Sequence, residues 1–282
     1  MPAPVKRGAR RAAPRRRSAA KEKEEPTAIE AADVEIEISD MANYGTSINW
    51  LLYGPEGHGK TTLLASIPNA VFLSTETGGP IPALQTAKKI GNKMQVIKCP
   101  DWEHALSGVR WADKNLGPED WLLIDSHTRM QMEYVRWLLR MRHAENEARD
   151  LDIPAIQDHQ KWQNAFTRWT DHIIAAPYNA VFTATDMIKE DEAGDDIVMP
   201  SFQGKNYSIA KYISAQMMLV TYYTVSRSAS TDDEIVRMLL AQPHPPYIAK
   251  DRYSALGRYQ LVKEGDYGAM ADFIAMIQES LA

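Results

Sequence analysis

Short apolar runs alternate with longer stretches of helical period along most of this chain. The runs stand at 48–53 (INWLLY), 70–75 (AVFLST), 94–99 (MQVIKC), 121–125 (WLLID) and 179–185 (NAVFTAT). Their length and their bounding polar residues predict buried strands. Between them, apolar residues recur every three or four positions: Trp102, Leu106 and Val109; Met130, Tyr134, Trp137 and Met141; Trp162, Phe166, Trp169 and Ile173. That spacing puts each set on one helix face, and aromatic stripes of this kind pack into cores. Strand–helix alternation predicts an α/β fold of three layers, with a mostly parallel twisted sheet between helices.

The pattern changes after residue 186. The stretch 187–203 is polar and carries acidic residues at Glu190–Glu192 and at Asp195–Asp196. A short helix is predicted at 206–213. Strands are predicted at 216–224 and 234–241, joined by a polar turn, as a C-terminal antiparallel hairpin extending the sheet. Met270, Phe273, Ile274 and Ile277 predict an amphipathic closing helix.

The loop after the first strand carries the chemistry. Residues 54–61 read GPEGHGKT and fit G-x-x-x-x-G-K-[ST], the phosphate-binding P-loop. The strand before it and the helix expected from 61–67 give the motif its required context. Gly54, Gly57 and Gly59 allow the backbone to curl its N–H groups around an anion, with Pro55, Glu56 and His58 between them. A helix start just beyond adds its positive end. Lys60 reaches the β- and γ-phosphates, Thr61 offers a hydroxyl to Mg²⁺, and Thr62 completes the nucleotide cradle.

Hydrolysis requires a second metal carboxylate and a group that orients water. Asp125 ends the apolar run WLLID, which places its carboxylate at the C-terminal end of a buried strand, where open α/β sheets gather ligands. It is the predicted Walker B residue, holding Mg²⁺ mainly through water. Ser126 occupies the next position, where many P-loop ATPases carry a catalytic Glu. Glu76 follows the strand at 70–75 instead. If that strand lies beside the one ending in Asp125, Glu76 faces the γ-phosphate and acts as the base.

Composition narrows the setting. With 282 residues and 44% hydrophobic content, the chain can form one large α/β domain, expected over 41–282. No run approaches the roughly 18 apolar residues of a membrane helix, and the charged N-terminus has no apolar segment like that of a secretory signal. The single cysteine, Cys99, rules out an internal disulfide framework and fits a reducing cytoplasm. Charge is uneven. Residues 1–23 hold nine Lys/Arg and one Glu, a charge of +8, while the rest holds 23 basic and 36 acidic residues, −13, for the net −5. Residues 1–40 lack an apolar period and read as a disordered basic arm, either a solubilising tail or an electrostatic tether to nucleic acid.

With GPEGHGKT, Glu76 and WLLID together, the chain resembles the RecA-like core ATPases. It is most similar to the small phage-encoded members used in single-strand annealing and recombination. The resemblance covers about 46–262. It implies Mg²⁺-ATP as cofactor, single-stranded DNA as partner, and homo-oligomers, rings or filaments, with ATP between subunits. A single-strand-binding protein is a further implied partner, and host cytoplasm the implied location. It also implies a γ-phosphate sensor near Thr185–Asp186, where RecA itself commonly has Gln. The stretch 187–203 corresponds to a DNA-binding loop, with Lys205 and Lys211 as candidate phosphate contacts. Lys250 and Arg252 correspond to basic residues that reach a neighbour's γ-phosphate. Two other classes stay open at this point: a P-loop motor or nucleotide kinase, and a non-hydrolysing module whose assembly ATP switches.

Overall fold

The computed structural model describes residues 47–76, 78–190, 193–204, 207–227, 235–263 and 265–281. The basic arm, the acidic residues Asp191 and Glu192, and Lys205 lie outside these.

Three apolar strands set the frame. β1 (Asn49–Tyr53), β4 (Trp121–Asp125) and β5 (Asn179–Ala184) are buried along their whole length. Strands buried on both faces belong inside a parallel sheet with helices on each side. β2 (Ala70–Ser74) and β3 (Gln95–Lys98) extend the sheet beyond β4. On the other side β8 (Leu219–Arg227) pairs with β1, followed by β9 (Ile235–Leu240) and β11 (Tyr259–Val262). The order is β3-β2-β4-β5-β1-β8-β9-β11, with the two-residue β10 (Lys250–Asp251) pairing against β8. From β3 to β8 every pairing is parallel, while β9, β10 and β11 run antiparallel to their partners. The expected fold class is the one observed.

Alternation along the strands sends residues to opposite layers. Leu51 and Tyr53 face one core with Leu122, Ile124 and Phe182. That core is closed by α3 (Trp102–Asn115), α4 (His127–Glu145), α5 (Ile156–Ile174) and α6 (Ser208–Gln216). Trp50, Leu52, Phe72 and Leu123 face the other core, under α2 (Ile81–Ile90) and α7 (Ala269–Leu281). The predicted stripes at Trp102, Met130, Tyr134, Trp162, Phe166 and Trp169 are buried, whereas Met141 is exposed.

Three expectations need correction. The stretch 187–203 is no plain loop: β6 (Asp186–Glu190) and β7 (Asp196–Pro200) form an antiparallel hairpin off the main sheet. Val198 and Met199 are buried, and β7 exchanges backbone hydrogen bonds with Pro246 and Ile248. The acidic residues around the turn masked this apolar half in the sequence. The helix after the P-loop is short. One α-turn, α1 (Lys60–Leu63), tightens into a 3-10 turn at Leu64–Ser66 just ahead of Pro68. The residue before proline is disfavoured in the helical region, and Ile67 is extended. The predicted 206–213 helix lies instead at Ser208–Gln216.

Candidate nucleotide-binding site

The loop 54–61 leaves β1 between two strands that also end at the same sheet edge. Gly54 is fixed by crowding: a Cβ there would stand 2.0 Å from the carbonyl oxygen of Tyr223. Gly59 has φ +92°, a left-handed conformation that side chains rarely adopt, and it turns the loop into α1. His58 ties the loop tip to β8, its Nδ1 accepting from the Val225 N–H at 3.2 Å. Because α1 is a single turn, an anion would be held by the loop N–H groups and Lys60 more than by a helix dipole.

Lys60 donates to the carbonyls of Gly54 at 2.7 Å and Pro55 at 2.8 Å. Burial lowers its pKa, and Asp125, Asp186, Glu56 and Glu76 oppose that by favouring the ammonium. Of the two carboxylates expected at the phosphate, Asp125 exerts the larger pull on this lysine and Glu76 the smaller. Glu76 is exposed in the loop after β2, and β2 pairs with β4 so that Ser74 stands opposite Asp125. The condition on which the Glu76 role depended, that the two strands be neighbours, is met.

Asp125 is buried at the end of β4. Its Oδ2 accepts from the Thr61 hydroxyl at 2.9 Å and its Oδ1 from the Thr183 hydroxyl at 2.5 Å. Burial raises its pKa, while those two hydrogen bonds and Lys60 pull it back. A hydroxyl and a carboxylate in contact form an all-oxygen donor pair. This suits Mg²⁺, which prefers one or two protein oxygens with water and phosphate completing its shell. Ser126 is accounted for otherwise: its hydroxyl accepts from the Arg129 N–H as the N-cap of α4. Asp186 begins β6, acts on Lys60 and accepts from the Tyr222 hydroxyl at 3.4 Å.

Beside the loop opens a cavity of about 300 Å³, bounded by α2 and by β8 and β9. Gly59, Thr62, Tyr223, Arg237, Gln85 and Tyr267 are among its lining residues. Arg237, Tyr223 and Tyr267 were not identified from sequence. An arginine inside the apolar run of β9 was the available signal, since a cation in a strand of a covered sheet needs a reason to be there.

The remaining candidates stand elsewhere. Lys211 is exposed on α6. Lys250 donates to the carbonyls of Ser214 at 2.6 Å and Ala215 at 3.0 Å, and Arg252 donates to Ala215 at 3.0 Å. Both cations thus cap the C-terminus of α6 within their own chain, satisfying carbonyls that a helix end leaves unpaired. Burial, with Arg252 adding to it, lowers the Lys250 pKa to about 8. Reaching a neighbour's phosphate would mean giving up these bonds, so the structure provides a local task where sequence suggested a distant one.

A strand, a glycine-shaped loop, a lysine, and a threonine touching a strand-end aspartate define a P-loop nucleotide-binding protein. A family model described as an AAA domain matches residues 46–253. The chain belongs to that family of P-loop ATPases. A search of the curated proteins found no match. Among the described residues no helix is long and apolar enough to cross a membrane.

Proposed function

We propose that this chain is a Mg²⁺-dependent ATPase that works on single-stranded DNA in recombination or strand annealing. The observation that carries the ATPase part is the meeting of Lys60, Thr61, Asp125 and Glu76 at one sheet edge. Thr61 and Asp125 would hold the metal, which when bound neutralises charge on the phosphates. Lys60 supplies a fixed positive charge to the transferring phosphoryl group. Glu76 accepts a hydrogen bond from the attacking water and fixes its direction. The nucleoside occupies the cavity beyond Gly59 and Thr62.

The DNA part rests on the resemblance and on charge. The arm's nine basic residues would displace counterions from phosphates. Lys211 presents a further cation. The acidic hairpin Asp186–Pro200 would repel a phosphate backbone, so the strand is expected to run along α6 rather than along the hairpin tip. Assembly into a ring or filament, a single-strand-binding partner and action in a host cytoplasm belong to the same proposal. ATP turnover of the purified chain, measured with and without single-stranded DNA at fixed salt, tests it. Stimulation severalfold by single strands and not by small phosphate acceptors is expected. Equal rates with and without DNA would contradict the DNA role.

A further inference from the structure

Arg237 lies opposite Val225 in the β8–β9 pair, in the middle of an apolar strand. Its Nε stands 3.5 Å from the position a Cβ on Gly59 would take, and its side chain is half-buried. It shares the wall of the 300 Å³ cavity with Gly59 and Thr62. Among the described residues no carboxylate pairs with it. Arg142 and Arg149, half-buried guanidinium groups that also line a cavity, are by contrast both paired with Asp158.

Sheet order decides which part of a nucleotide Arg237 can reach. Asp125 on β4 stands two strands from β1, and β2, which leads to Glu76, stands one strand further in the same direction. Arg237 on β9 stands two strands from β1 in the opposite direction. Neighbouring strands are about 4.8 Å apart, so Arg237 and Asp125 arise roughly 19 Å apart across the sheet. Their side chains meet the loop at different points, Asp125 at Thr61 and Arg237 beside Gly59. The metal and the water-orienting carboxylate take the γ end, which leaves Arg237 the end nearest the nucleoside.

We infer that Arg237 is a nucleotide-binding residue, donating its guanidinium fork to the α-phosphate of whatever nucleoside di- or triphosphate the 54–61 loop holds. This rests on the nucleotide reading of that loop. The planar fork matches two phosphate oxygens at once, which a lysine ammonium cannot do. Because α is common to di- and triphosphates, the contact is uniform: it adds affinity and leaves the chemical step alone.

The test is calorimetric binding of Mg²⁺-ADP and Mg²⁺-ATP to the full chain, to Arg237→Met, which keeps the aliphatic stem, and to Arg237→Lys. Arg237→Met should weaken ADP and ATP by the same factor, roughly 10- to 100-fold for a lost charge-assisted contact. Arg237→Lys should recover part of it. In turnover, KM should rise with kcat unchanged. Loss confined to ATP would place the side chain at the γ end, and unchanged affinity for both would give it no role; either overturns the inference. A wild-type chain that binds neither nucleotide would instead overturn the nucleotide reading beneath it.

Discussion

His127 sits two positions beyond Asp125 and is completely buried. Its Nε2 shares a hydrogen bond with the Thr170 hydroxyl at 3.1 Å, its Nδ1 has no partner, and Phe166, Trp169, Phe182 and Phe202 surround the ring. Burial alone pushes its pKa down from 6.5 to about 3. The folded pKa lies below the unfolded one, so the unfolded chain binds the extra proton between those values. The stability contribution is therefore complete above pH 6.5 and is lost as pH falls toward 3. At pH 5 the loss amounts to roughly 2 kcal/mol. Urea unfolding at pH 7 and pH 5 checks it: His127→Phe, which keeps a ring among the aromatics, should show a pH drop smaller than wild type by about that amount. An equal drop in both would mean the imidazole is not held neutral. Single residues differ in how well sequence announces them. Lys60 and Asp125 were legible because each sits in a fixed frame, a glycine pattern or an apolar run. The neutral state of His127 depends on four rings from α5, β5 and the loop at 202, which no local window contains.

At the scale of elements, helix ends explain what spacing could not. Lys250 and Arg252 look like paired basic residues free to reach outward, yet β10 folds back along β8 and lays both on the last carbonyls of α6. Hydrogen bonds from charged donors are worth about 1.5–3 kcal/mol each. Lys250→Ala/Arg252→Ala should therefore lower unfolding stability by roughly 2–4 kcal/mol while retaining ATP turnover within a few-fold. Both are read from one preparation by urea unfolding and a phosphate-release assay. Near-complete loss of turnover in the folded double variant, restored by mixing it with Lys60→Ala chains, would show instead that the two cations act on a neighbour. The strands β1, β2, β4 and β5 were legible because both their faces are apolar. The hairpin of β6 and β7 was not, because only Val198, Met199 and Pro200 among its described residues are strongly buried, and the apolar half reads as a fragment within acidic surroundings.

At the scale of the whole molecule, the sheet order is what turns three separate segments into a site. β5 lies between β1 and β4, and β2 lies beyond β4. Their ends bring residues 54–61, 76 and 125 to one edge, with Thr61 and Asp125 in contact. The candidate carboxylates were readable from strand ends, but their neighbourhood depended on long-range pairing that a single sequence leaves undetermined. The same order places Arg237 on the opposite side of β1 from Asp125. The central claim is that the carboxylate on the far strand orients water for a phosphate held by the near one. Its most direct test is ATP affinity and ATP turnover of Glu76→Gln beside Lys60→Ala. Glu76→Gln should bind Mg²⁺-ATP about as tightly as wild type and turn it over ~10²–10⁴-fold more slowly, while Lys60→Ala should lose ~10²–10³ in rate. Wild-type turnover by Glu76→Gln, with Lys60→Ala inactive, would contradict the claim and leave a P-loop whose water is oriented by another group.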